Sequence, residues 1–492
     1  MRASRPKKRR KFAPPVLSAR LNDRITLETR DDGSIAAVFD DYPIKMGRFS
    51  PKAVTRARDL SVGLPLASFA KGTAVDREID LLVRRLARSG LLEYRFARRG
   101  DDQDVVVIEP QTPDYWPQAP KLGASDTLAL SRFAYLRRRG NAMVLESPRA
   151  TALFRIGDAQ IAAALARLAI PQKIGKLRLQ RDFPGNELIA LLFDCQILFK
   201  VEPGSEGLRP QEGDESLVLW DFHDLLFHTR STEGRQANPL GGVYPYVGTI
   251  TPLPAVRQRW PGTAIDLREF ETPLAPFANL LRERHSVRDF DEQRPITLPE
   301  LAQFLDGTAR VLSRWESALD LDGGGPVLDY TRRPYPSGGS AYELELYLAV
   351  SNCEGLARGF YHYDADAHAL VAITVHPQQL DSMLGAAQFA LDAPGLPQIL
   401  VTVAARFGRL SWKYSGIAYS LIMKDVGGLF QTFYLMATEM GLGGCAVGSN
   451  DIDLFAQMTR MKFHVEGPVG QFVLGRERKQ EIPADDAVSG TS

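Results

Sequence analysis

At 492 residues the chain is too long for one ordinary hydrophobic core, and two to four domains are expected. Its 44% hydrophobic and 24% charged residues are those of a globular protein, and a formal net charge of +1 excludes a global attraction to nucleic acid or to an anionic membrane. The three cysteines, Cys195, Cys353 and Cys445, stand far apart with no CxxC pair, which excludes a disulfide framework and a structural zinc site on spacing grounds.

The opening MRASRPKKRRKFAPPV is basic and lacks the apolar core of a signal peptide. Residues 1–17 are therefore expected to be a solvated, disordered arm of a cytoplasmic protein. Arg24 to Phe39 reads as a hairpin turning at Asp31-Asp32-Gly33. A helix should begin near Ser50-Pro51. A second helix, capped by Thr73 with Asp76 three positions on, carries Ile79, Leu82, Val83 and Leu86 on one side. Gly90 stops it, and Leu91 to Phe96 returns as a strand. Hairpin, helices and closing strand predict a winged-helix-like module over residues 18–115.

A second copy, offset by about 110 residues, fills 116–202. It has paired strands over 141–156, a helix over 158–168, another capped by Asn186, and a closing strand over 197–201. Winged helices often bind DNA, here through Arg84, Arg85 and Arg88, but in a neutral chain those arginines read as a solvated helix face. Addition of a peptide strand at the sheet edge is the alternative use.

Residues 203–273 are rich in Pro and Gly and read as an interdomain segment. Within it His223 and His228 lack an evident third ligand, so no metal is expected, and the stretch from Trp220 to Ser231 predicts a helix packed beside the domain that follows. That domain, 274–492, opens with Arg284, His285, Ser286 and Arg288: guanidinium forks, an imidazole and a hydroxyl, the equipment for holding a phosphate dianion. The turn Tyr335-Pro-Ser-Gly-Gly-Ser340 leads into a strand, Glu343 to Val350, whose alternation predicts one buried face. A hairpin over 359–374 and strands at 398–404 and 471–474 complete an α+β pattern. No GxGxxG follows any strand, so this is not a Rossmann half.

The stretch from Ser411 to Asn450 organises the domain. Between Ile417 and Met440 apolar residues cover nearly every face of a helical wheel, predicting a helix buried all round and roughly 36 Å long. Lys424, Asp425 and Glu439 exclude a membrane span. Lys413-Tyr414 precedes this helix. The loop Gly441-Leu-Gly-Gly-Cys-Ala446 follows it, where glycines let backbone approach a flat ligand.

Arg284-His-Ser-Val-Arg288, Pro336-Ser-Gly-Gly339 and Gly441-Leu-Gly-Gly-Cys445 closely resemble the flavin-binding signature of the nitroreductase superfamily. Together with Phe222-His-Asp-Leu-Leu-Phe-His228-x-Arg-Ser231, Gly359-Phe-Tyr-His-Tyr363 and Trp412-Lys-Tyr414, they resemble the SagB/ThcOx type of azoline dehydrogenase within it. The N-terminal region resembles the paired winged-helix, peptide-recognition modules of larger members. The resemblance implies FMN-dependent oxidation of thiazolines and oxazolines to thiazoles and oxazoles in a ribosomally made peptide. It puts the FMN phosphate on Arg284, His285, Ser286 and Arg288, with Arg476 as the C-terminal basic residue completing that site. Ser337 and Gly338 would flank the isoalloxazine, the Gly443-Gly444 backbone would lie near its reactive edge, and Gln431 would be a flavin ligand. Where the family often has Gln-Asn, this chain has Gln431-Thr432. Lys413, partly desolvated, and Tyr414 would be the acid/base pair. A homodimer packed through the central helix is implied, with an azoline-containing precursor peptide and a cyclodehydratase complex as partners. The rivals are a nicotinamide-dependent nitro- or quinone reductase on the same fold and a flavin-sensing DNA-binding regulator. The Lys-Tyr pair and the long N-terminal region stand against the first, the neutral charge against the second.

Overall fold

The computed structural model describes residues 15–30, 32–39, 42–70, 72–98, 104–112, 115–180, 183–202, 208–232, 244, 246–259, 261–270, 273–319 and 325–478. Two compact units divide the chain: residues 1–230 with 234–237, and residues 231–233 with 238–492. No helix among the described residues is long and apolar enough to cross a membrane.

The first unit repeats one order of elements. The first pass is β1 (Pro15–Leu21), a meander of β2 (Ile25–Thr29), β3 (Ser34–Phe39) and β4 (Tyr42–Arg48), then α1 (Pro51–Ala57), β5 (Leu64–Pro65), α2 (Ala74–Arg88), β6 (Leu92–Arg98) and β7 (Asp104–Pro110). The second is β8 (Thr127–Leu130), β9 (Tyr135–Arg139), β10 (Ala142–Glu146), β11 (Ala152–Ile156), α3 (Ala159–Ala166), β12 (Gln172–Lys173), α4 (Ile174–Leu177), α5 (Asn186–Asp194) and β13 (Leu198–Lys200). In each pass the leading strand lies between a two-residue strand and the closing strand: β5-β1-β6 and β12-β8-β13. The copies are not separate. β7 pairs with β6 on one side and β11 on the other, joining first-copy strands to the second meander in a seven-stranded sheet, β5-β1-β6-β7-β11-β10-β9.

Local chemistry explains these elements. Gly33, at φ 75°, turns the β2-β3 hairpin, in which Ile25 faces Phe39. Ser50 caps α1, and Thr73 with Asp76 forms the expected capping box on α2, whose Ile79, Leu82, Val83 and Leu86 are buried. Asn186 opens α5 instead of capping it, because Gly185 at φ 104° takes the cap position. Residues 1–14 and Asp31 lie outside the described residues, while 15–17, expected in the arm, belong to β1.

The helix expected near Trp220 forms as α6 (Phe222–Arg230) and packs within the first unit. Phe222 meets Tyr135 edge to face at 5.6 Å, and Arg230 pairs with Glu146 at 3.0 Å. His228 is fully buried, stacked on Trp220 at 5.7 Å, whereas His223 is exposed and faces Asp224, so the two histidines do not converge.

The second unit contains α7 (Pro276–Glu283), α8 (Leu298–Ala309), β14 (Ser313–Ala318), β15 (Val327–Arg332), β16 (Leu344–Val350), β17 (Gly359–Asp364), β18 (Ala369–Ile373), α9 (Pro377–Ala390), β19 (Ile399–Arg406), α10 (Phe407–Ser411), α11 (Ala418–Glu439), β20 (Gly443–Val447), α12 (Ile452–Thr459) and β21 (Glu466–Gly475). Six strands form an antiparallel sheet, β18-β17-β16-β19-β21-β20, while β14 and β15 pair only with each other. Tyr347, Leu400 and Val473 pack with Leu380 and Met383 of α9 and Phe455 and Met458 of α12. Phe472, next along β21, turns the other way onto Phe433 of α11. Helices cover both faces, so β16 is buried on both sides except at Glu345, where one buried face was expected.

The central helix also departs from expectation. Ala418, Ile422, Val426, Leu429, Phe433 and Ala437 are buried, but Lys424, Gly427, Gln431 and Glu439 stand exposed on an open outer face. An all-round apolar wheel therefore covers more surface than this single chain buries.

Phe433 is fully buried, 5.2 Å from Phe304 and 5.3 Å from Phe472. Phe433→Ala should destabilise the second unit by about 3–5 kcal/mol in urea unfolding. A change below about 1 kcal/mol would contradict this packing.

Candidate functional site

Two groups of sequence-predicted residues come together, each anchored on α11. The first surrounds the turn Ser337-Gly338-Gly339. Asp425 of α11 accepts the Gly338 N–H at 2.8 Å. Ser337 Oγ accepts the Tyr342 N–H at 2.9 Å and donates to Glu343 Oε2 at 3.2 Å. Gly339 adopts φ 60°, and a Cβ there would lie 2.5 Å from both Lys413 Nζ and Tyr414 Oη. The left-handed backbone favours glycine here, and the absence of a side chain leaves the space that the Lys413 and Tyr414 tips occupy.

Lys413 and Tyr414 follow α10, their N–H groups donating to the Leu410 carbonyl at 3.0 Å. Lys413 Nζ donates to the Gly339 carbonyl at 3.3 Å. Lys413 is exposed, so the partial desolvation expected for it is not supplied by this chain alone. Sequence reasoning missed Glu343 as a member of the group. It is fully buried, and burial first, with the neighbouring Asp425 charge adding to it, pushes its carboxyl up to about 7. The available signal was a carboxylate opening an otherwise apolar strand.

The second group joins the segment after α7 to the glycine-rich stretch. The expected loop at 441–446 is a strand from Gly443 onward: β20 pairs with β21, Cys445 opposite Val473. Its glycines serve packing inside the chain. A Cβ at Gly443 would lie 2.6 Å from Val287, and one at Gly444 would lie 2.4 Å from Phe472, so both residues are buried with their backbone pressed against neighbours. Val287 N–H donates to the Gly444 carbonyl at 2.9 Å.

Tyr434 of α11, which the sequence reading passed over as one more apolar position, ties the two segments. Its Oη lies 3.1 Å from Ser286 Oγ and accepts the Ala446 N–H at 2.9 Å, and the Arg284 guanidinium sits over its ring at 5.1 Å. His285 contacts the Glu283 carbonyl at 3.1 Å and the Glu477 carboxylate at 3.2 Å, and these two acceptors raise its pKa above the ordinary 6.5. Arg288 is exposed. Arg284, Ser286 and Arg288 are a donor set that fits a phosphate dianion, while both ring nitrogens of His285 are engaged by Glu283 and Glu477, so His285 contributes charge and not a free N–H.

Two other candidates lie elsewhere. Arg476 Nη2 donates to both Glu300 oxygens, at 2.7 and 2.8 Å, and Glu300 also accepts the Thr297 N–H at the start of α8. Gln431 stands on the exposed face of α11.

Comparison with known proteins followed the same division. Residues 128–237 match the family described as cyanobactin oxidase ThcOx, and residues 281–476 match the nitroreductase family, whose fold the second unit therefore has. The nitroreductase-family protein MJ1384 of Methanocaldococcus jannaschii is 28% identical over 171 residues, 35% of this chain and 77% of that protein. The microcin B17-processing protein McbC of Escherichia coli is 28% identical over 162 residues, 32% of this chain and 58% of McbC, so the chain spans little more than half of that relative. The solved E. coli microcin synthetase complex McbBCD with truncated pro-MccB17 bound aligns with a TM-score of 0.38 at 18% identity, covering 56% of this chain and 99% of that one.

Tyr434→Phe removes the hydroxyl shared by Ser286 and Ala446. It should lower stability by about 1–2 kcal/mol and weaken binding of FMN and of inorganic phosphate in fluorescence and calorimetric titrations. In the wild type, phosphate affinity should be full below the ordinary imidazole pKa and fall as pH rises through the raised His285 pKa. A pH-independent affinity would exclude His285 from the anion site.

Proposed function

The chain carries a nitroreductase domain and a cyanobactin-oxidase ThcOx region, and from that premise we propose that it is an FMN-dependent azoline dehydrogenase. It oxidises thiazoline or oxazoline rings of a ribosomally made peptide to thiazoles or oxazoles, in the cytoplasm where such peptides are made. The observation that carries this reading is the meeting of Lys413 Nζ and Tyr414 Oη at Gly339, a basic and a hydroxyl group over a turn with no side chain. An oxidase family over residues 128–237 and a peptide-processing relative support the same substrate class.

Arg284, His285, Ser286 and Arg288 would hold the FMN phosphate, and Ser337 and Gly338 would flank the ring system. When bound, FMN supplies the acceptor for the hydride released as an azoline becomes aromatic. The proton from the ring's α-carbon goes to this chain's own residues. Lys413 takes it, its neutral amine becoming accessible when substrate or a partner covers the exposed Nζ, because loss of water disfavours the ammonium. Tyr414 completes the acid/base pair. A homodimer packed through α11 belongs to the same reading. On the open face, Phe277 and Leu280 of α7 with Leu435 and Met436 of α11 line an apolar groove of about 570 Å³.

Ring chemistry carries little sequence information, so the peptide is held elsewhere, and we assign that to the first unit. Among the described residues β5 pairs with β1 only at Ser18 and Ala19 and no strand pairs beside the edge of Val16 and Leu17 on that side, where a groove of about 1060 Å³ is lined also by Arg84 and Trp116. An extended peptide adds to such an edge as a strand. A cyclodehydratase, which makes the azoline, is the partner whose product this enzyme consumes.

Anaerobic mixing of the FMN-loaded protein with an azoline-containing peptide should bleach the flavin without NAD(P)H. Lys413→Ala should retain FMN and lose the bleaching. Bleaching by NAD(P)H and not by peptide would make the protein a nitro- or quinone reductase. Trp116→Ala should raise KM for a full-length precursor about tenfold with kcat unchanged, and leave a short azoline peptide unaffected. Equal effects on both substrates would remove the groove from the reading.

A further inference from the structure

Beneath the Ser337–Gly339 turn two acids face each other without a cation. Glu343 is 0% exposed and Asp425 7%. Glu343 Oε2 accepts the Ser337 hydroxyl, but Oε1 is buried and meets no hydrogen-bond partner among the described residues. Burial, its own backbone N–H, the Asp425 carboxyl and the Ser337 hydroxyl all act on the Glu343 carboxyl, and Asp425 Oδ2 accepts the Gly338 N–H. Among the described residues no arginine, lysine or histidine pairs with either acid. Two ionised carboxylates here would leave an orphan oxygen and two like charges out of water with no counter-ion.

One proton removes all three penalties. We infer that Glu343 and Asp425 share a single proton, Glu343 as the acid donating from Oε1 and Asp425 as the carboxylate, and that this pair locks the Ser337–Gly339 turn in the shape that receives the flavin. The donor chain then closes on itself: Tyr342 N–H to Ser337 Oγ, Ser337 O–H to Glu343, Glu343 O–H to Asp425, and Gly338 N–H to Asp425. Such a ring holds the turn from strand side and helix side together. Burial and the Asp425 charge, which push the Glu343 carboxyl up to about 7, agree with it.

The other groups around the pair do not supply a counter-charge. Tyr335 is buried with a hydroxyl that meets no partner among the described residues, and Arg333, Glu343 and Glu345 act on it, while Arg333 itself donates to the Leu344 carbonyl. Lys413 and Tyr414 reach the same turn at Gly339. Glu343 is thus a positioning residue: it touches the turn, not the substrate. The flavin half of the inference rests on the function proposed above; the shared proton does not.

The test compares full-length wild type with Glu343→Gln, whose amide keeps a donor toward Asp425 but does not titrate. An acid with a higher pKa folded than unfolded loses stability as pH rises from its unfolded value, and the loss is complete above the folded one. The window therefore runs from 4.5 to about 7. The variant should unfold at the wild-type temperature at the acid end, gain a growing advantage through the window, and keep it above. A difference that is flat with pH would overturn the shared proton. At neutral pH, Glu343→Gln should bind FMN within about twofold of wild type and Glu343→Ala at least about tenfold more weakly. Wild-type affinity in Glu343→Ala would overturn the positioning role. If Glu343→Ala does not fold, weakened FMN binding by Glu343→Gln above the window would overturn it instead. A wild type that binds no FMN would refute the flavin reading, while the stability comparison would still decide the pair.

Discussion

The hydrogen bond from the Gly338 N–H to Asp425 fixes the Ser337–Gly339 turn to the central helix of the second unit. A buried helix carboxylate is costly unless donors converge on it, and here the donor is the backbone of the turn that Lys413 and Tyr414 reach. Nine residues further along the same helix, about 13.5 Å at 1.5 Å per residue, Tyr434 holds Ser286 and Ala446. One rigid element thus sets both groups. Its own position is set by Phe433 against Phe304 and Phe472, and Phe472 also packs on Tyr434 at 4.9 Å, so the placement of the second group derives from an apolar cluster.

The glycines around the site do different jobs. Gly339 is needed for a left-handed backbone and for the approach of two polar tips. Gly443 and Gly444 are needed because Val287 and Phe472 fill the space a side chain would take, which lets β20 complete the sheet edge and take the segment of Arg284 to Arg288 beside it. The family signature therefore mixes residues that face a ligand with residues that make room for the scaffold.

Signals within a few residues of their partners were legible in the sequence. The Gly33 hairpin and the Thr73–Asp76 capping box of the first unit and the β17-β18 hairpin of the second form as read. What escaped depends on neighbours far along the chain. β20 has little strand propensity, and only β21 makes it a strand. The hairpin of β14 and β15 has no buried face on β14, so no alternation announces it. The ion pair of Arg476 with Glu300, 176 residues away in sequence, could not be read either. Glu343, Asp425 and Tyr434 each read as an ordinary strand or helix position, since their roles exist only once the turn, β16 and α11 are assembled. The helical wheel of α11 counted apolar residues correctly but could not say that this chain leaves one side open.

β7 carries a consequence for how the first unit reaches its fold. A duplicated chain could mature one copy at a time, each closing its own sheet as it leaves the ribosome. Here β7 pairs on its far side with β11, so the first copy's sheet keeps an unsatisfied internal edge until Ile156 has emerged. Nascent chains cut short between the copies would present that open edge to any other strand in reach. The fusion that makes the two copies one cooperative body also makes the interval between their synthesis the period of greatest exposure to mispairing.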